Sequence, residues 1–374
     1  MSKPKQTLCA IGLMSGTSMD GVDAALLYAR FNAQGAEIVS LGAHLEIAFD
    51  AELRGEITAV LGAEKPSVQT CSVEEKLGVY YVLAVEKLLE QAQLTAADVD
   101  LIGLHGQTIT HRPEKAFTWQ LGDGAALARQ TGIAVVYDFR QNDIAHGGQG
   151  APLAPVFHHA LARDGYLPSL PLVVVNIGGV SNITLMTDTM IRAYDSGPGN
   201  GPMDDYAQEF LGLAFDQDGA IALGGQADTD IVAKFLRHPY FVQDAPKSLD
   251  RRDFDHHGVS HISPPNALRT LCACSAAAIA YAIKEERKQV PDLKRLLLAG
   301  GGRYNQALSL ELKAALPDME VLMIDELPAE LSGDALEAWA FAWLAVLNQG
   351  GISASFPSTT GVKTPQRAGV FVAP

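Results

Sequence analysis

The 374-residue chain is poor in cysteine: only Cys9, Cys71, Cys272 and Cys274 occur, and none has C-x-x-C spacing. A structural zinc knuckle or a redox dithiol is therefore disfavoured, and the thiols read as reduced, buried small hydrophobes. Positive charge is also scarce, with 28 Lys and Arg against 43 Asp and Glu, a formal charge of −15 and no long basic block. That balance argues against a nucleic-acid partner and against an anionic membrane surface. No apolar run approaches the ~18 residues a membrane span needs. The N-terminal MSKPKQTLCAIGLM is too short to be a signal peptide, so a cytoplasmic protein is expected.

Glycine, by contrast, arrives in bursts. The first lies in IGLMSGTSMDGVDAALLY, Ile11 to Tyr28, where two apolar runs flank a polar turn. That pattern reads as a β-hairpin. Its turn offers the Ser15, Thr17 and Ser18 hydroxyls, backbone amides at Gly16 and Gly21, and the carboxylates Asp20 and Asp23. Closely spaced amides and hydroxyls suit an anion, and Asp20 suits Mg²⁺ held through water, so phosphate with a metal is the natural guest. A well-made hairpin turn without a ligand would carry the same residue types.

A second copy tips the balance towards function. In PLVVVNIGGVSNITLM, Pro171 to Met186, a β-branched run enters Gly178, Gly179, Ser181 and Asn182. The hairpin, strand (37–47), helix (73–93) and strand (101–106) of the first half recur as a hairpin, strand (190–195), helix (268–288) and strand (296–300). Two similar α/β lobes facing each other across a cleft are expected, with one nucleotide gripped from both sides.

Other candidates follow the strand ends. His105, Gln107 and Thr108 stand just past an apolar strand, where ligands of open α/β sheets bind, although a histidine beside a glycine is often structural. A strand at 133–139 leads to Asp138, Arg140 and the glycines Gly147, Gly148 and Gly150. These form either a binding loop joining the lobes or a linker with an Arg140–Asp143 surface pair. Asp195 ends a strand and enters SGPGNGPMDDY, so it is either a general base on a stiff support or a cap on its own turn. The polar stretch 215–261 holds Asp255, His256, His257 and His261, read as solvated rather than zinc-binding, and Lys247, Arg251 and Arg252, whose direction is open. Gly300, Gly301 and Gly302 in RLLLAGGGRYN lack both common nucleotide-loop patterns, yet in register with the hairpins they fit an adenosine pocket. Glu337 begins an apolar helix, as a charge favourable to the helix dipole or as a cleft residue.

Taken together, MSGTSMDGVD, LHGQT, GGQGAPLAP, NIGGVSNIT, YDSGPGN, LLLAGGGRYN and EAWAFAWLA resemble the anhydro-N-acetylmuramic acid kinase family, sugar kinases of the actin, Hsp70 and hexokinase superfamily. The resemblance implies an α/β protein of two actin-like, ribonuclease-H-like lobes, each with a mixed five-stranded sheet and flanking helices. The N-terminal lobe would span 1–145, with 348–374 packing on it; the C-terminal lobe would span 146–347, with an insertion at 215–261. It implies ATP and Mg²⁺, a 1,6-anhydro amino sugar, peptidoglycan recycling and a homodimer. By motif, ATP would contact Gly16, Thr17, Ser18, Met19, Asp20, Gly21, Val22 and Asp23, then Gly178, Gly179 and Ser181, and Gly300 to Gly302. Asp195 matches the catalytic aspartate. Glu337 matches a sugar contact, and Asn200 of DSGPGN and His105, Gln107 and Thr108 are placed with the substrate. The alternatives are a kinase of an ordinary open sugar or carboxylate, and an actin-like or Hsp70-like nucleotide switch.

Overall fold

The computed structural model describes residues 7–16, 18–33, 35–251, 253–327 and 331–374; Thr17 of the first turn and Arg252 lie outside them. The chain begins with β1 (Leu8–Ser15), β2 (Gly21–Asn32), β3 (Gly35–Ala48), α1 (Ala51–Val60), α2 (Val68–Ala92), β4 (Leu101–Arg112), β5 (Phe117–Leu121), α3 (Gly124–Thr131), β6 (Val135–Tyr137), α4 (Gln141–Ala145) and α5 (Pro155–Arg163). It continues with β7 (Leu172–Ile177), β8 (Val180–Met186), β9 (Ile191–Pro198), α6 (Gly201–Tyr206), α7 (Ala220–Leu223), α8 (Thr229–Phe235), α9 (Pro264–Arg287), β10 (Arg295–Ala299), α10 (Gln306–Ala315) and β11 (Glu320–Met323). Last come α11 (Leu336–Gln349) and β12 (Val370–Val372).

Two compact units result, 1–167 with 328–374, and 168–327. In the first, the sheet order is β12-β6-β4-β1-β2-β3, with β5 paired to β4. β1, β2 and β3 form an antiparallel meander, while β4 and β6 run parallel to β1. The second unit repeats this plan in β11-β10-β7-β8-β9, antiparallel from β7 to β9 and parallel through β10 and β11. Each unit thus carries the five-strand, ribonuclease-H-like plan that the motifs imply. β5 and β12 are additions that make the first sheet seven-stranded.

Helix α11 packs on β1, β2 and β4 of the first unit. Glycine makes this possible. Gly12 of β1 and Gly103 of β4 are register partners, and a Cβ on either would lie 1.7 Å from the Ala338 carbonyl oxygen or 2.1 Å from that of Phe341. The Trp339 indole N–H then donates to the Leu26 carbonyl at 2.8 Å. Helix α5 is likewise tied to β3: the Ile38 N–H donates to Asp164 at 2.7 Å, and Arg163 donates to the Ala36 carbonyl at 2.8 Å. Both helices therefore lie in the first unit, outside the boundaries drawn at 145 and 347.

In the second unit α9 fills the core against β8 and β9. It is long and apolar enough to cross a membrane, but 78% of its apolar window is buried inside the protein. Cys272 and Cys274 are buried on it, and Cys9 is buried on β1. Cys71 differs from expectation: it is exposed on α2.

Candidate active site

The turn from Gly16 to Asp20 is fastened from below. The Met19 N–H donates to the Gly16 carbonyl at 3.1 Å, and the Phe49 N–H donates to the Asp20 carbonyl at 2.8 Å. Gln107, fully buried on β4, accepts from the Ser15 hydroxyl and donates to the Gly16 carbonyl at 3.1 Å. Ser15 and Gln107 thus spend their polar atoms shaping the turn, whereas Ser18 and Asp20 are exposed. Because β2 begins at Gly21, strand alternation sends Val22 into the core, fully buried, and Asp23 to the other face. Val22 is removed from the ligand-facing set on that ground. Half-buried Asp23 sits opposite Glu46 on β3, and its carboxyl is pushed up to about 8 by burial, then by Glu46, Glu337, Asp334 and Asp20.

His105 is buried against Phe341, ring centroids 4.5 Å apart, rather than offered to a polyol. Its Nε2 accepts from Arg140 Nε at 3.2 Å and faces Nη2 at 2.9 Å. Burial, then the Arg140 charge, drives the imidazole pKa well down, so the ring is neutral with its proton on Nδ1. Thr108 stays half-buried, its hydroxyl accepting from Gln120 at 3.3 Å. Arg140 Nη1 donates to the Gly150 carbonyl at 2.7 Å. No Arg140–Asp143 surface pair forms: buried Asp143 accepts from the Gly150 N–H at 2.7 Å and the Thr360 hydroxyl at 2.6 Å. The 147–150 loop is therefore fastened within the first unit. Glu337, at the start of α11, is half-buried and forms no hydrogen bond among the described residues; burial raises its pKa and Arg140 opposes the rise.

In the second unit the glycine turns meet. The amides of Gly199, Asn200 and Gly201 donate to the carbonyls of Gly179, Gly178 and Gly179 at 3.0, 2.7 and 3.1 Å. The Gly300–Gly302 turn sits on the end of β7, where a Cβ on Gly302 would lie 2.2 Å from the Ile177 side chain and 3.0 Å from Asn200 Oδ1. Buried Arg303 holds this turn by donating to the Gly300 carbonyl at 3.0 Å while paired with Asp325 at 2.5 Å. Asn200 thus stands with Gly178, Gly179 and Gly302. Ser181 does not join them. Its hydroxyl is fully buried, 2.8 Å from the Ser196 hydroxyl and 3.1 Å from the Gly197 carbonyl, so it fastens β8 to β9 instead of meeting a phosphate.

Asp195 does not end a strand as expected but lies within β9, half-buried and opposite Asn182 on β8. Its Oδ2 accepts from the Leu249 N–H at 2.8 Å, and Oδ1 has no hydrogen bond among the described residues. Its own N–H donates to the Lys247 carbonyl at 3.0 Å, and Tyr240 donates its hydroxyl to the Asp195 carbonyl at 2.5 Å. The carboxylate therefore caps no local turn. Burial pushes its pKa up to about 7, against the Leu249 hydrogen bond that lowers it.

A family model described as anhydro-N-acetylmuramic acid kinase matches residues 8–373. Curated relatives bearing that name include one from Methylobacterium nodulans, 43% identical over 98% of this chain and 100% of its own. One from Acidiphilium cryptum is 42% identical over 98% of both chains. One from Agrobacterium fabrum is 40% identical over 97% of this chain and 98% of its own. The chain belongs to the anhydro-N-acetylmuramic acid kinase family.

What the motifs of that kinase family did not reveal is the brace behind Asp195. Lys247 Nζ donates to the carbonyls of Tyr240, Phe241 and Gln243 at 2.9, 3.3 and 3.1 Å, and lies 4.6 Å from the Tyr240 ring centre. The stretch reads as a polar insertion, and only its aromatic pair Tyr240–Phe241, both buried, hints that it is anchored. Arg251, in the same stretch, lies 3.0 Å from where a Gly179 Cβ would stand and pairs with Asp205 at 2.8 Å. His256 faces Glu209 at 3.0 Å, and no group of three or more metal-ligating side chains converges among the described residues.

Proposed function

We propose that the chain is an ATP-dependent kinase that opens the internal bridge of 1,6-anhydro-N-acetylmuramic acid and phosphorylates O6. Water, ATP and the anhydro sugar become N-acetylmuramic acid 6-phosphate and ADP, a reaction that returns cell-wall sugar to metabolism. The observation that carries the reading is Asp195: one oxygen pinned by Leu249, the other unbonded among the described residues, and a pKa pushed up to about 7. A base with that proton affinity takes a proton from water at neutral pH and can release it afterwards.

In this reading Asp195 accepts the proton of the water that attacks C1, the C1–O6 bond breaks, and O6 takes the γ-phosphoryl group. The Gly16–Asp20, Gly178–Gly179 and Gly300–Gly302 turns are the amide-rich segments this reading assigns to ATP. Phosphoryl transfer depends mainly on such positioning and charge stabilisation. Glu337, with no internal partner among the described residues, accepts from a sugar hydroxyl.

Magnesium fits the first turn. Burial and then four neighbouring carboxylates raise Asp23, so a cation beside it would relieve the repulsive part, and exposed Asp20 would hold the ion through water. When bound, the ion neutralises charge on the β- and γ-phosphates. Since no cluster of three ligating side chains exists among the described residues, most ligands would come from ATP and water. A cytoplasmic homodimer completes the reading, as the family resemblance implies.

The direct test is Asp195→Asn. Turnover should fall about 10²–10⁴-fold, the range for losing a general base, with ATP binding and melting temperature nearly kept. Retention of more than a tenth of wild-type turnover would remove Asp195 from that role.

A further inference from the structure

We propose that Arg140 is a specificity-determining residue that binds the lactyl carboxylate of the sugar; this rests on the function proposed above. The guanidinium is half-buried just past the end of β6 and beside His105, where the parallel pairing of β4 with β6 has stopped although β4 itself runs on, the side of such sheets on which ligands bind. It is fixed on two sides. Nε and Nη2 face His105 Nε2, and Nη1 donates to the Gly150 carbonyl. Of its five N–H groups, one on Nη1 and one on Nη2 remain without a partner among the described residues, which matches the bidentate demand of a carboxylate.

The choice of internal partners matters. A neutral imidazole and a backbone carbonyl orient the guanidinium without cancelling its charge, whereas a carboxylate would have done both. Among the described residues no carboxylate lies within ion-pair distance of Arg140. Asp143 has committed both oxygens, to the Gly150 N–H and to Thr360. Glu337 and Asp143 both act on Arg140 through space, without contact at ion-pair distance. A half-buried cation offset only at a distance is costly in the free protein and gains a direct partner when an anionic ligand arrives. The substrate brings one permanent carboxylate, on its lactyl ether, together with hydroxyls for Glu337. An acceptor and a donor that do not neutralise each other thus suit a ligand carrying both complements.

The test compares kcat/KM for 1,6-anhydro-N-acetylmuramic acid with that for 1,6-anhydro-N-acetylglucosamine, which lacks the lactyl group. Wild type, Arg140→Lys and Arg140→Met are assayed at saturating ATP. Wild type should favour the lactyl sugar. Arg140→Met should cut that ratio by about 10–150-fold, mostly through KM, the value of a charged hydrogen-bonded pair. Arg140→Lys should retain part of it, because it keeps the charge and loses the fork. An unchanged ratio overturns the proposal. So does an equal loss on both sugars with a raised KM for ATP, which would make Arg140 a phosphate contact. If Arg140→Met melts early, the Lys variant decides by the same ratio. Failure of wild type to turn over either sugar overturns the kinase reading itself, and this proposal with it.

Discussion

Burial gives Asp195 a proton affinity that an exposed aspartate lacks, and the consequence is a pH dependence. With the pKa pushed up to about 7, the carboxyl is mostly protonated at pH 6 and is no base there. Activity should therefore rise with pH: kcat/KM should gain about tenfold per unit below pH 7 and level off above it, as one essential base requires. A pH–rate profile flat between pH 5 and 8 would contradict the role. The sequence left Asp195 open between a base and a turn cap at a strand end; it lies instead within β9, opposite Asn182, and the distant Leu249 N–H rather than a local turn holds its carboxylate. The side chains of Val22 and Ser181 face away from any ligand for a shared reason. A motif covers consecutive residues, whereas strand alternation and a buried Ser181–Ser196 contact decide which of them face a ligand. Arg140 was visible as a charged residue after a strand, but its neutral partners His105 and Gly150 lie 35 and 10 residues away and leave no local pattern.

Elements met expectation where their pattern was local. The hairpins β1–β2 and β7–β8 and the long helices α2 and α9 follow from apolar period and turn chemistry. The assignment of α11 failed because the reason for its place is non-local: paired glycines on β1 and β4 clear a path for its backbone. Gly103→Val should accordingly destabilise the protein by about 1–3 kcal/mol or more, since its side chain would overlap the Phe341 carbonyl. Thermal melting checks this; a melting temperature within a degree of wild type would show that α11 does not depend on the gap. The 239–249 segment escaped for the opposite reason, because a polar, proline-bearing stretch gives no periodic signal even though its backbone supplies five bonds to Asp195 and Lys247.

At the scale of the whole chain the internal duplication was the strongest signal in the sequence, and two sheets with the same order and directions answer it. The additions β5 and β12 were not anticipated: one extends β4 through a hairpin, and the other is a short terminal strand that pairs with β6. Duplication also explains the division of labour. The first unit holds the turn braced by Gln107 together with Glu337 and Arg140, and the second holds its own glycine turns and Asp195. A simple sugar kinase would need the turns but no water-activating aspartate. The most direct measurement is incubation with 1,6-anhydro-N-acetylmuramic acid and ATP in ¹⁸O-labelled water, followed by mass analysis of the sugar. The account predicts one product that has gained both water and phosphate, with the label on C1 and none in the phosphate. A phosphorylated sugar whose anhydro bridge is intact, or label carried into phosphate, would contradict it.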